Sequence, residues 1–458
     1  MQSDFATIIQ KQHDFFKGGN TRSYSFRREQ LKKLRSAILK NETIINEALH
    51  ADLNKSDHES YSTEVGPTLS ELRFIGDHLE DWMKPMTVPG MLFSFPSSGK
   101  ILYEPYGTVL IISPWNYPIW LSLVPMIGAM AAGNCIILKP SEISFHTSGI
   151  LNKILSETFP TEYIAVAEGT AEVSQQLMDL PPDYIFFTGS TPVGKIVAQA
   201  AAKNLVPYTL ELGGKSPCII DEKADMKLSV KRMLWGKMIN SGQTCVAPDY
   251  LLVHEKIKNE VIDEIKNVLD KFYPEGALND PDYPCIINEK NYSRLKSLMQ
   301  SGKILLGGKM DDAERKIEPT LLGELNWNHP VMKEEIFGSL LPVITFNSVD
   351  DVIAAVNHHP NPLAFYIFSK DKKFQRRLLN ELSFGGALIN DTIEHLGNHY
   401  LPFGGVRSSG LGVYHGKFSF EIFSHKKAVM KKGTWIDLNF RYKPYNKTKE
   451  WVMRTFLR

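Results

Sequence analysis

Between residues 24 and 84 apolar side chains recur at three- and four-residue steps with charges between them, as in FRREQLKKLRSAILKNETIINEAL. That period predicts a layer of amphipathic helices. The character then changes. MTVPGMLFSFPSSGKILYEPYG is punctuated by Pro, Gly and Ser and rich in β-formers, so it reads as a hairpin leaving the body. From Thr108 onward short β-branched runs alternate with helical stretches: TVLIIS, an apolar helix near 122–132, CIILKP, YIAVAEG, YIFFTGS, a helix after Pro192, and YTLELGG. This alternation predicts a parallel sheet covered on both faces. A second series starts near Lys215, with strand residues Cys218, Ile219 and Ile220, helices around 226–241 and 256–272, and further strands to about Asn390. The chain thus reads as two α/β units in series, with no internal repeat and no low-complexity tract.

One stretch, Pro105 to Leu138, has no charged residue and could be mistaken for a membrane span. Pro114, Pro118 and Pro125, with Asn116 and Asn134, would interrupt the hydrogen-bonded helix that lipid demands, so a buried strand, loop and helix is predicted instead. With 458 residues, two or three domains are expected. Lysine and arginine number 52 against 51 acids, and this balance gives no field to recruit nucleic acid. The balance hides a basic C-terminal end, where Lys426 to Arg458 carries ten Lys/Arg against Asp437 and Glu450. Four cysteines at 135, 218, 245 and 285 show neither paired metal-ligand spacing nor the density of a disulfide scaffold, so no metal site is expected. A reducing compartment fits them. The N-terminus has an acid at Asp4 and no apolar stretch after a basic start, which does not read as a signal peptide, so a cytoplasmic protein is expected.

FFTGSTPVGKIV, residues 186–197, contains the G-x-x-x-x-G-K of a triphosphate loop at Gly189, Gly194 and Lys195. Such a loop needs a Ser or Thr after the lysine to hold magnesium, and here the position is Ile196. Pro192 lies inside it and has no N–H to offer a phosphate. What survives is a strand, a tight turn at Thr188-Gly189-Ser190, and a helix that Pro192 can open. That helix N-terminus suits a diphosphate, or it is a plain strand-to-helix turn.

Three other residues carry candidate chemistry. Cys245 sits in the small polar loop NSGQTCVAPDY, unlike the apolar settings of Cys135 and Cys218; an approachable nucleophile or an inert thiol both fit. Glu211 ends an apolar strand before a double glycine, as a cap or as a general base in a dry pocket. Asn116 lies between Trp115 and Tyr117 in the most apolar part of the chain, as a loop brace or as a donor to a developing oxyanion.

Together EPYGTVLIISPWNYP, AAGNCIILKPSE, FFTGS, LELGGKSP, NSGQTCVAPDY, KEEIFG and LPFGGVRSSGLGVYHGKFSFEIFSHKK resemble, in order, the NAD(P)-dependent aldehyde dehydrogenase superfamily, and within it the class 3 branch of fatty- and aromatic-aldehyde enzymes. The likeness covers nearly the whole chain, including the step from Glu211 to Cys245. It implies an α/β fold of two Rossmann-type domains plus a β-hairpin used for oligomerisation. The NAD(P)-binding domain would span 1–84 and 104–211, the catalytic domain 212–416, the oligomerisation element 85–103 and 417–440, and a basic tail 441–458. It also implies that Cys245 attacks an aldehyde, that Asn116 and the Cys245 N–H hold the oxyanion, and that Glu211 activates water to hydrolyse the resulting thioester. For the cofactor, the resemblance assigns Lys139, Ser141 and Glu142 to the adenosine end, Gly189 and Ser190 to the diphosphate, and Trp115, Leu212, Gly213, Glu335 and Phe337 to the nicotinamide end. Glu142 favours a ribose hydroxyl over a 2′-phosphate by repulsion and Lys139 softens that preference, so NAD is expected and NADP tolerated.

The expected partners are a small-molecule aldehyde, of long-chain, isoprenoid-like or aromatic type, and a second copy of the chain in a homodimer. The basic tail, with Trp435, Phe440, Trp451 and Phe456, is a candidate for peripheral contact with an anionic membrane, a tail packed on the dimer partner being the alternative. The competing functions are transfer of the acyl group to coenzyme A and a non-catalytic protein on the same scaffold. Two departures from the family pattern stand out: Arg407 in GGVRSSG where glycine is usual, expected near the substrate entrance, and Ser339 where proline is common.

Overall fold

The structure is a computed structural model that describes residues 2–457. The N-terminal period of three and four becomes the helices Tyr24–Lys40, Glu42–Leu53 and Gly66–Met83, joined by the short helix Asp57–Ser60 and a π-helical turn, Tyr61–Val65. Ser23 caps the first of these by accepting the Phe26 N–H, and Leu31, Leu34 and Ile38 form its buried stripe. The charge-free segment folds as strand Thr108–Ile112, helix Trp120–Ala132 and strand Cys135–Lys139, both strands wholly buried. The helix is apolar on all sides because neighbours cover all of it. It ends at Gly133, whose φ of +94° is the left-handed conformation of a helix C-cap. Among the described residues no helix is long and apolar enough to cross a membrane.

The first α/β unit is a six-stranded sheet. In spatial order its strands are Gly410–Leu411, Tyr208–Glu211, Tyr184–Thr188, Thr108–Ile112, Cys135–Lys139 and Ile164–Val166. All pair in parallel except Gly410–Leu411, which runs antiparallel and sets Gly410 opposite Glu211. Chain order reverses between Thr108–Ile112 and Tyr184–Thr188, and a crevice opens outside the carboxyl ends of strands at such a switch point. The second unit is a seven-stranded sheet centred on Tyr250–His254 between Pro217–Ile220 and Leu340–Phe346. One continuous apolar cluster joins Leu34 and Ile127 of the helical layer, Ile111 and Phe186 of the first sheet, and Leu251 and Tyr366 of the second. The two units therefore share a core and hold a fixed relation across the crevice.

The predicted hairpin is the pair Met86–Val88 and Ser97–Pro105, and Ser424–Lys432 runs antiparallel to the latter over nine residue pairs. The chain approaches that strand through a short helix, Gly416–Ile422, and afterwards forms the helix Lys447–Phe456, capped by the Asn446 side chain.

A buried ion pair ties the helical layer to the first unit. Lys55 Nζ lies 2.6 Å from Glu64 Oε1, both side chains having zero exposure, and also donates to the Asn116 carbonyl at 3.2 Å. The other Glu64 oxygen accepts the N–H groups of Ile119 and Trp120, at 2.8 and 3.1 Å, at the start of the apolar helix. Removing one partner of such a pair strands a charge in the core. Lys55→Met is expected to lower stability by about 3–5 kcal/mol, read from the denaturant midpoint, with Lys55→Met/Glu64→Gln recovering part of the loss.

Candidate active site

Cys245 is placed by a loop that begins with three consecutive left-handed residues, Asn240, Ser241 and Gly242, at φ of 53°, 51° and 76°. Only the glycine adopts this conformation without cost, so the loop depends on contacts that hold the other two. The Asn240 N–H donates to Glu59 Oε1 at 2.7 Å, and its side chain donates to the Asn116 carbonyl at 2.8 Å. Ser241 Oγ donates to the Pro284 carbonyl at 2.6 Å. Gln243, fully buried, donates to the carbonyls of Asn240 and Cys285 and accepts the Ile287 N–H. On either side of the thiol, the Thr244 hydroxyl pairs with the Tyr117 hydroxyl at 2.6 Å, and the Val246 carbonyl accepts from Tyr366, also at 2.6 Å.

The half-buried Cys245 stands where two cavities meet. One, of about 740 Å³, is lined by Trp115, Asn116, Thr188, Gly189, Ser190, Glu211, Leu212, Gly213, Glu335 and Phe337, with Cys245 at its end. The other, of about 950 Å³, also reaches Cys245 and is lined by Tyr117, Trp120, Trp235, Phe272 and Phe403. Ten of the thirteen residues singled out in the sequence thus converge on one cleft. Lys139, Ser141 and Glu142 do not line it. They lie at the end of the strand Cys135–Lys139, where Lys139 Nζ pairs with Glu142 Oε2 at 2.8 Å and Ser141 Oγ accepts the Ile143 N–H.

The electrostatics are those of a dry site. Glu211 is buried with neither carboxyl oxygen partnered, and burial holds its pKa well above the usual carboxylate range. Burial, then the nearby carboxyls of Glu335 and Glu211, raise the Cys245 thiol far above its ordinary value. Glu335 is pushed up to about 8, first by burial and next by Asp249. Its segment is anchored because Asp249 forms an ion pair with Lys215 and accepts the Ile336 N–H at 2.8 Å. Asn116 resolves the choice between brace and donor by doing one without excluding the other. Its amide donates one N–H to the Gln243 carbonyl at 3.0 Å, which leaves a second N–H on the same nitrogen.

The cleft of Gly189 fits a dinucleotide. Ser190 is the N-cap of the helix Thr191–Lys203, its side chain making no capping bond, and Thr188 Oγ1 is buried without a partner. A Cβ on Gly189 would press into the Phe187 ring, and one on Gly213 would collide with the Glu335 carboxylate, so glycine is what lets the backbone pass so close to those side chains at both positions. Trp115 and Phe337 meet edge to face at 5.3 Å across the cleft.

Sequence reasoning missed several lining residues. His358, His359, Asn361 and Pro362 wall the smaller cavity, and the turn signal HHPNP, with Asn361 at φ +62°, marks them. The aromatic lining of the larger cavity comes from distant segments that only the fold joins. The loop of Arg407 flanks the smaller cavity through Ser408, held there because Gly410 pairs with Glu211 and the Leu212 N–H donates to the Ser409 carbonyl. Arg407 is at φ +54°, which explains why glycine suits the position. Ser339 is fully buried and donates to the Ile317 carbonyl at 2.9 Å.

The model of the aldehyde dehydrogenase family matches residues 1–429. The chain is 48% identical over 454 residues to the 4,4'-diaponeurosporen-aldehyde dehydrogenase of Staphylococcus aureus, covering 98% of this chain and 99% of that one. It is 42% identical to the dimeric NADP-preferring aldehyde dehydrogenase of mouse, covering 93% and 94%. A solved substrate-bound structure of Staphylococcus aureus AldH superposes with a TM-score of 0.97 at 47% identity, over 99% of both chains.

Glu335 supplies a test of the dry site. Its folded pKa, about 8, lies above the ordinary 4.5, so its contribution to stability is complete below pH 4.5 and is lost as pH rises toward 8. The melting temperature of Glu335→Gln relative to wild type is therefore expected to climb between pH 5 and pH 8 in calorimetry.

Proposed function

The chain belongs to the aldehyde dehydrogenase family, and from that premise we propose how its residues divide the work and which aldehydes it takes. The reaction is the NAD(P)-dependent oxidation of an aldehyde to its carboxylic acid. Cys245 is the nucleophile and Glu211 the base, and the free Asn116 N–H with the Cys245 N–H forms the oxyanion hole. The observation that carries this reading is the position of Cys245 at the meeting point of the two cavities. The Sγ adds to an aldehyde carbon delivered through the larger cavity, and its proton passes through water to solvent, so Glu211 stays available as the base of the later step. The resulting alkoxide is stabilised by donors already fixed by the Gln243 and Tyr117 contacts. When bound, NAD or NADP supplies the acceptor for the hydride that leaves the thiohemiacetal carbon, and what remains on Cys245 is a thioester. Glu211, as the carboxylate, takes a proton from the water that attacks this thioester; the thiolate departs and that proton passes on to the sulfur or to solvent. Gly189, Ser190 and the helix they open would seat the diphosphate, with Trp115, Leu212, Gly213, Glu335 and Phe337 around the nicotinamide and Lys139, Ser141 and Glu142 toward the adenosine.

We assign the substrate as a long apolar aldehyde. The larger cavity is walled by aromatic rings and Leu121, Met238, Ile239 and Leu396, suited to a fatty or isoprenoid-like chain. The relative that is 48% identical is named for such a substrate. We further propose a cytoplasmic homodimer in which the edge strand Ser424–Lys432 meets a second copy. The C-terminal arm would rest on an anionic membrane, since Trp435 and Trp451 are 73% and 67% exposed among Lys431, Lys432, Lys443, Lys447 and Lys449.

NADH formation followed with long-chain and aromatic aldehydes tests the chemistry. Cys245→Ala is expected to abolish it, and Asn116→Ala to lower kcat by about 100- to 1,000-fold. Glu211→Gln is expected to give a burst of NADH followed by slow turnover. Product formation without coenzyme A is part of the expectation. Co-sedimentation with phosphatidylserine vesicles is expected to fall when residues after Trp435 are deleted, and binding unchanged by that deletion would remove the membrane assignment.

A further inference from the structure

Glu59 has no part in the scheme above, yet it lines the larger cavity and touches the nucleophile loop. Its Oε1 accepts the N–H of Asn240, the first left-handed residue before Cys245, at 2.7 Å. The backbone around it is unusual. The helix Asp57–Ser60 passes directly into the π-helical turn Tyr61–Val65, an insertion that is frequent at functional sites, and Thr63 Oγ1 donates to the Glu59 carbonyl at 2.7 Å. The turn sends Glu64 back to the buried Lys55, while Glu59, Ser62 and Thr63 line the cavity.

The cavity wall is one-sided in charge. Among the described residues that line it, Glu59, Asp280, Asp282 and Glu394 carry carboxylates and none is lysine or arginine. The rest is aromatic, aliphatic or neutral polar, apart from His58 and His399, the latter paired with Glu71. Lys55, the cation that acts most on Glu59, is itself buried against Glu64. A neutral chain enters such a space by burying apolar surface. Asp282 and Glu394 are exposed to solvent, so the like charge that an anion meets away from bulk water, with no cation beside it, is chiefly that of half-buried Glu59 and Asp280.

We propose that Glu59 makes this cavity select against aldehydes that carry an ionised carboxylate. The inference rests on Cys245-dependent aldehyde oxidation as proposed above. Lys55 and Glu64 face Glu59 from the same helical layer and Asp282 from the opposite wall, with the phenols of Tyr117, Tyr273 and Tyr283 also beside it. Burial, opposed by Lys55, lifts the Glu59 carboxyl to about 7. Its charge is therefore present at pH 8.5 and largely absent at pH 6, whereas a carboxylate on an aliphatic aldehyde is ionised at both.

The experiment measures kcat/KM for unsubstituted aldehydes of four to ten carbons and for ω-oxo acids of the same lengths. Wild type, Glu59→Gln and Glu59→Asp are compared at pH 6 and pH 8.5. The ratio of the two substrates within one protein is read, so a general loss of activity cancels. Expected for wild type is a preference of at least tenfold for the neutral aldehyde at pH 8.5 that shrinks at pH 6. In Glu59→Gln the preference narrows at least fivefold and loses its pH dependence, while Glu59→Asp keeps both. A ratio in Glu59→Gln equal to that of wild type at both pH values would overturn the inference while leaving aldehyde oxidation intact. No Cys245-dependent NADH from either class of aldehyde would overturn the reading beneath it and the inference with it.

Discussion

The loop that carries Cys245 adopts a backbone that an isolated chain would leave, and the rest of the site is arranged around keeping it there. Two of its three left-handed residues are not glycine, and each such residue costs of order 1 kcal/mol or more. The cost is offset by buried hydrogen bonds from segments far apart in the chain. Glu59 and Asn116 meet Asn240, Pro284 receives Ser241, and the Cys285 and Ile287 backbone meets Gln243. Because these partners come from the helical layer, the first unit and the second unit, the thiol is fixed only when all three are assembled.

This arrangement explains why the buried pair of Lys55 and Glu64 matters beyond its own energy. A buried ion pair is by itself weak evidence for stability, since desolvation consumes most of the attraction. Here both members have further partners. Lys55 reaches the carbonyl of Asn116, and Glu64 satisfies two N–H groups of the first turn of the apolar helix, which otherwise lack acceptors. The pair therefore positions the segment that presents Asn116 to Cys245, and its specificity lies in that registration.

Much of this was legible in the sequence because it rests on local pattern. Alternating short strands and helices announced two α/β units, and the prolines inside the charge-free segment pointed to the buried strand, loop and helix that it forms. Cys245, Glu211 and Asn116 stood out because a thiol in a polar loop, a carboxylate at the end of an apolar strand and an amide in an apolar run each contradict their surroundings. The larger cavity was not legible. Its rings, Trp120, Trp235, Phe272 and Phe403, look in sequence like ordinary core residues, and only tertiary packing leaves one side of each uncovered. Glu59 was hidden for a related reason, since on a charged helical stretch nothing local separates a carboxylate facing water from one facing a cavity.

The site at rest is neutral where its chemistry requires charge. Burial raises the Cys245 thiol and the Glu211 carboxyl above their ordinary ranges and lifts Glu335 to about 8. A thiolate waiting in the open would be exposed to oxidation and to any electrophile that arrived. The same lack of solvation that makes ionisation costly also strengthens the interaction of any charge that does form with the fixed donors at Asn116 and the Cys245 N–H. Dryness thus suppresses the nucleophile until a substrate oxyanion can be stabilised, and favours the charged state at the moment the reaction creates it.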